Sequence, residues 1–124
     1  MTLLMDSSGW IEFFTDGPLA LEYSKYLKED ISKIITPTIV IYEVYKKIKK
    51  ENNEEYALSA ISLINKTSVI PLSESIALSA ADLSIKYSLP MADAIIYATA
   101  MEEDCKVITG DAHFKGLENV IFIG

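Results

Sequence analysis

Five short runs rich in branched aliphatic residues, at positions 2–6, 33–36, 68–72, 106–109 and 120–123, recur between longer stretches whose apolar residues repeat at helical spacing. That alternation restricts the fold more than any other feature. Strands buried on both faces read as continuous apolar runs, whereas half-exposed strands alternate. Short buried strands separated by helix-length segments form a parallel sheet with helices packed on both sides. The sequence therefore predicts an α/β fold of three layers, α/β/α, around a central, mostly parallel sheet of about five strands. At 124 residues the chain is expected to form one domain over 1–124.

Helical spacing places helices at 8–15, 18–28, 37–50, 54–65, 74–87 and 90–103. Thr36 and Pro37 read as the N-cap and first residue of the third helix. Pro90 opens the last helix, which from Met91 to Met101 is apolar or small nearly all the way round. Such a helix is buried. Right-handed crossovers gather the strand C-termini along one edge, where open α/β sheets bind their ligands.

Four acidic residues stand out against this frame: Asp6, Glu43, Asp93 and Asp111. Each lies in or beside an apolar run, and a carboxylate in apolar surroundings is costly unless its charge is compensated. A shared divalent metal ion compensates all four most economically. Each also has a plainer explanation. Asp6 precedes Ser7-Ser8-Gly9 and could be a turn or cap residue, with one of the two serines capping the first helix. Glu43 is spaced to pair with Lys46 and Lys47 on an exposed helix face. Asp111 could cap a short turn through Ala112-His113-Phe114, and His113 reads as a surface loop residue. Asp93 resists such explanations best. Pro90 is better placed to open its helix, and Ile96 cannot complete a capping box. The remaining acids, Glu12 among them, read as solvated faces.

Charge opposes one obvious inference. The formal net charge of −7 repels a phosphate backbone at long range, and every basic residue is a lysine, so no arginine fork is available. The lysines do cluster at Lys46, Lys47, Lys49 and Lys50. Metal ions held by carboxylates would offset the negative field locally. The single cysteine, Cys105, excludes an internal disulfide and reads as a small buried residue at a helix end. No run approaches the roughly 20 apolar residues of a membrane span. The start meets a charge at Asp6 and lacks a basic n-region, so a cytoplasmic protein without a signal peptide is expected.

The order and context of the four acids carry a family resemblance. An opening strand ends in Asp6-Ser7-Ser8, and Glu43 lies within the helix after Thr36-Pro37. Then come Leu89-Pro90-Met91-Ala92-Asp93-Ala94-Ile95-Ile96-Tyr97-Ala98 and Val107-Ile108-Thr109-Gly110-Asp111-Ala112-His113-Phe114. Together these segments resemble the PIN-domain family over essentially the whole chain, above all its VapC-like branch, the ribonuclease toxins of type II toxin–antitoxin pairs. The third segment is the most specific. The resemblance implies that Asp6 and Asp93 are direct metal ligands and that Glu43 and Asp111 complete the acidic pocket, directly or through water. It implies that Thr109 supports the pocket, and Ser7 is a candidate for orienting a carboxylate or a water. Gly110 departs from the pattern, which often has a polar or basic residue there.

The chemistry is coherent without the family. Phosphodiester hydrolysis needs an activated water and neutralisation of phosphate charge, and Mg²⁺ or Mn²⁺ on oxygen ligands supplies both. Metal-assisted in-line attack by water is the expected mechanism. The resemblance adds RNA as substrate, a cognate antitoxin and a homodimer as partners, and 5′-phosphate ends. Trp10, Tyr23, Tyr26, Tyr42 and Tyr45 are expected to contribute aromatics to an interface. Alternatives are a PIN-like RNA-processing nuclease outside a toxin–antitoxin pair and a catalytically silent PIN-like interaction module. A receiver-type phospho-acceptor domain is disfavoured: the run 68–72 ends in Leu72 and the run 106–109 in Thr109, where that fold needs Asp and Lys.

Overall fold

A computed structural model describes residues 2–124. Strand β1 (Leu3–Met5) leads into helices α1 (Ser7–Phe14) and α2 (Ala20–Glu29), and β2 (Ile34–Pro37) into α3 (Thr38–Glu51) and α4 (Glu54–Ile64). Then follow β3 (Ser68–Ile70), α5 (Glu74–Tyr87), α6 (Met91–Glu102), β4 (Lys106–Thr109) and β5 (Val120–Phe122). Two single 3₁₀ turns, Ile31–Lys33 and Ala112–Phe114, precede β2 and follow β4.

The strands form one sheet in the order β3-β2-β1-β4-β5, and every neighbouring pair is parallel. The expected α/β/α layering is thus present, with a sheet that is wholly rather than mostly parallel. Its centre is β1, whose Leu3, Leu4 and Met5 are buried together with Val107 and Ile108 of β4. The chain builds outward from β1 to β2 and β3, then returns to add β4 on the other side. This reversal leaves a crevice between the C-terminal ends of β1 and β4, the place where open α/β sheets bind ligands.

Local chemistry accounts for the departures in element boundaries. Thr36 does not cap α3; it lies fully buried in β2, and its hydroxyl is 2.7 Å from that of Thr67. Thr67 donates to the Ile64 carbonyl, so Thr36 is the donor of the pair. Pro37 occupies the N-cap position instead. Helix α2 starts later than expected because the Glu12 carboxylate accepts from the Leu19 N–H and holds the turn before it. Glu12 therefore has structural work that a solvated face would not give it.

Helix α6 runs through the interior, and the chain enters it by a sharp reversal. Ser88 adopts a left-handed conformation (φ 56°) at the end of α5, which turns the backbone back on itself. Leu89 then enters the core, its carbonyl accepting from the Ser84 hydroxyl at 2.7 Å, and Pro90 opens α6. All residues from Asp93 to Ala100 are buried, as an apolar helix requires. The aromatic expectation divides. Trp10 and Tyr23 are core residues, Tyr26 and Tyr45 are half-buried, and only Tyr42 of the five is exposed. Packing of α1 against α2 explains Tyr23: a Cβ on Gly9 would lie 2.7 Å from its ring, so glycine there admits the tyrosine.

Candidate active site

Asp6 follows β1 directly, and its N–H donates to the Ile108 carbonyl of β4 at 3.2 Å. It faces the crevice with 1% of its surface exposed. Its carboxylate accepts from the Ser8 and Thr109 hydroxyls, each at 2.6 Å, and from the Gly9 N–H at 3.2 Å. Burial pushes the Asp6 carboxyl up to about 6, although the bonds from Ser8, Thr109 and Gly9 favour its ionised form. Asp6 itself caps α1, so neither serine has the capping role expected for one of them.

Asp93 lies in the first turn of α6, where the helix dipole favours an anion, yet its residue is only 8% exposed. Burial raises its carboxyl to about 7, the charge and hydrogen bond of Asp111 push the same way, and His113 opposes them. Asp111 caps the 3₁₀ turn after β4 by accepting from the His113 N–H at 2.9 Å. Its own N–H donates to Thr109 Oγ1 at 2.9 Å. Thr109 thus joins two acids: it donates to Asp6 and accepts from the backbone of Asp111. Phe114 anchors this turn, buried edge-on against Tyr97 of α6.

His113 closes the group. Its Nδ1 lies 3.0 Å from Asp93 Oδ2 and 2.9 Å from Asp111 Oδ1. It therefore joins the acidic cluster while remaining the exposed loop residue that the sequence suggests, with 57% of its side chain accessible. The available signal is its position two residues after an Asp able to cap a tight turn, which returns the ring toward whatever that Asp faces.

Glu43 behaves differently. It accepts from the Ser7 hydroxyl at 2.8 Å and so adjoins the residue next to Asp6. The expected ion pairs are absent among the described residues, since Lys46 reaches the Tyr42 hydroxyl and Lys47 pairs with Glu51. The fold therefore gathers Asp93, Asp111 and His113 tightly, ties Asp6 to them through Thr109, and leaves Glu43 at the margin through Ser7.

A divalent cation fits this arrangement. Asp93, Asp111 and His113 each offer a ligand atom, all within 4.8 Å of one another. Two carboxylates converge on one point, now served by a single imidazole nitrogen, and hard cations favour such oxygen donors.

The PIN domain matches residues 3–119 of the sequence. The chain belongs to the PIN domain family. Solved structures are similar along nearly its full length. A toxin–antitoxin complex from Klebsiella pneumoniae is 27% identical, with a TM-score of 0.81 over 97% of this chain and 96% of that one. VapBC2 from Rickettsia felis, bound to a promoter DNA fragment, is 18% identical with a TM-score of 0.79, covering 99% and 98%. VapC20 from Mycobacterium tuberculosis, a sarcin-ricin-loop-cleaving toxin, is 14% identical with a TM-score of 0.82, covering 96% and 97%. At those identities the last two speak for the fold alone. No curated protein matches the sequence. Within this PIN domain, the departure at Gly110 has a steric cause. A Cβ there would lie 2.8 Å from the Tyr23 hydroxyl and 3.0 Å from the Ile123 carbonyl, while the Gly110 N–H donates to Ser8.

Proposed function

We propose that this PIN domain, acting as one domain over 1–124, is a metal-dependent endoribonuclease and the toxin of a type II toxin–antitoxin pair. The observation that carries the reading is the convergence of Asp93 and Asp111 beside the buried Asp6, with the Asp6 and Asp93 carboxyls both pushed upward by burial. Strongly perturbed carboxyls cluster at functional sites. In this reading Asp6 and Asp93 hold Mg²⁺ or Mn²⁺, and Asp111 and Glu43 complete the pocket. When bound, the ion neutralises charge on the scissile phosphate and activates the attacking water.

The chain's own residues prepare that site. Thr109 fixes Asp6 and the Asp111 backbone relative to each other, and Ser7 fixes Glu43. Ser8 and Gly9 satisfy the remaining Asp6 oxygen. His113 Nδ1 lies 3.0 and 2.9 Å from the Asp93 and Asp111 carboxylates and offsets part of the upward push of Asp111 on Asp93.

Cleavage of a panel of structured and single-stranded RNAs with Mg²⁺, Mn²⁺ or EDTA tests the proposal. Metal-dependent products with 5′-phosphate ends are expected, abolished by an equimolar cognate antitoxin. Cleavage that persists in EDTA would sink the mechanism.

A second copy of the chain is the other proposed partner, in the cytoplasm; no helix among the described residues is long and apolar enough to cross a membrane. Leu78 and Ile85 on α5, with Leu72 and Met91 beside it, are large apolar residues left half or more exposed, Ile85 at 82%. Burying such a patch drives self-association. Sedimentation should show a dimer for the parent and a monomer for Ile85→Glu; a parent that remains monomeric at 50 μM removes the dimer.

A further inference from the structure

A groove of about 360 Å³ runs between α1 and α3, and its lining includes Ser7, Tyr42, Glu43, Lys46, Lys47 and Lys50. Tyr42, Lys46 and Lys50 recur at i, i+4 and i+8, so they share one face of the helix. One end of the groove is the Ser7–Glu43 hydrogen bond, immediately beside Asp6. The other end carries Lys46, Lys47 and Lys50, with Glu51 as the acid beside them. In a chain of net charge −7, this face collects three of the eleven lysines within five residues. Lys47 is paired with Glu51, but Lys46 and Lys50 have no carboxylate partner among the described residues. Tyr42 is 58% exposed at the same place, with Lys46 Nζ 5.5 Å from its ring centroid.

We propose that this groove seats the single-stranded RNA segment flanking the scissile phosphate, with backbone phosphates on Lys46 and Lys50 and a base against Tyr42. The inference rests on the ribonuclease reading and deepens it by assigning strand contacts that the acidic pocket cannot provide. A pocket of converging carboxylates repels a polyanion, so productive approach needs positive charge close by but outside the metal site. The groove supplies it on a surface continuous with Ser7 and Glu43. Its volume suits about one nucleotide rather than a duplex, since pockets of roughly 300–1,000 Å³ take ligands of small-molecule size. An exposed aromatic beside unpaired lysines is the combination that holds single strands without base-specific contacts. An acidic peptide could use the lysines but has no base to stack on Tyr42, and this difference makes the two occupants separable.

The test is fluorescence anisotropy of a labelled single-stranded 12-nucleotide RNA titrated with the full chain carrying Asp93→Asn, in Mg²⁺. Adding Lys46→Ala with Lys50→Ala should weaken binding at least tenfold at low salt. It should also flatten the slope of log affinity against log salt by about 1.4, roughly 0.7 for each lost phosphate contact on a single strand. Tyr42→Ala should weaken binding about fivefold or more and leave the salt slope unchanged. Lys25→Ala with Lys28→Ala, on α2, should change affinity less than twofold. Unchanged binding in the Lys46/Lys50 pair, or an equal loss in the α2 pair, overturns the assignment. So does a labelled poly-glutamate peptide that binds as tightly as RNA, loses affinity with the lysine pair and ignores Tyr42→Ala. Cleavage by the unmutated chain, measured in parallel, separates the two levels: no cleavage defeats the ribonuclease reading, while the binding series still decides the groove.

Discussion

Asp93→Asn should lower metal-dependent RNA cleavage by at least roughly 10³-fold while leaving the metal-free fold as stable as the parent or more so. A ligand carboxylate contributes several kcal/mol through the charge it places on the ion, and each 1.36 kcal/mol is a factor of ten in rate. Stability moves the other way because of proton linkage. The Asp93 carboxyl is raised from 3.8 to about 7 by burial and by Asp111. Between those pH values the native state therefore holds a proton that the unfolded chain has released. The Asp93 contribution to stability is full below about pH 4 and is lost as pH rises through 7. The asparagine variant escapes that decline, so its thermal midpoint in EDTA should gain on the parent from pH 4 to pH 8. A variant equal in activity to the parent would remove Asp93 from the site. A large loss of metal-free stability at pH 8 would make it a structural residue.

The second large effect separates two substitutions at one position. Asp6→Asn and Asp6→Ala should both abolish cleavage, yet the alanine variant should be about 2 kcal/mol less stable than the asparagine variant without metal. Neither carries a charge, so their difference isolates the hydrogen bonds. Asparagine can still accept from Gly9 and Ser8, and its amide can donate to Thr109. Alanine removes the cap of α1, worth about 1 kcal/mol, and leaves Ser8 and the buried Thr109 hydroxyl without their acceptor. Urea unfolding in EDTA measures the gap. Equal stabilities would show that these bonds contribute nothing. An asparagine variant more than about 2 kcal/mol below the parent would show that Asp6 is kept for the fold and not for an ion.

Much of this was legible in the residues. Buried parallel strands need continuous branched aliphatics, so the five runs named the strands to within about two residues. Asp93 was conspicuous because Asp93–Ala100 has no polar face to offer it. What the residues concealed has physical causes as well. Thr36 looks like a helix cap because threonine caps helices, but its hydroxyl pairs with Thr67, 31 positions away, and no local pattern encodes that partner. His113 is solvent-facing, as its turn suggests, but its Nδ1 also lies within 3.0 Å of Asp93 and Asp111, a contact set by the cap that Asp111 makes on the same turn. Glu43 had two lysines at pairing distance in sequence, and tertiary packing of α1 gave it Ser7 instead. Trp10 and Tyr23 looked surplus to a small core, but the glycine at position 9 lets helices α1 and α2 approach closely enough to absorb Tyr23.

The hydrogen bond from Thr109 to Asp6 joins residues 103 positions apart, across the junction of β1 with β4. Contacts of such separation form late, after the intervening loop-closure entropy has been met. A ribosome extends the chain at about 5–20 residues per second, so β1 waits seconds for its neighbour to emerge. Until then Asp6 has neither Thr109 nor Asp111 beside it. The pocket is consequently a property of the finished polypeptide, and a nascent or prematurely ended chain carries no assembled site near the ribosome that makes it.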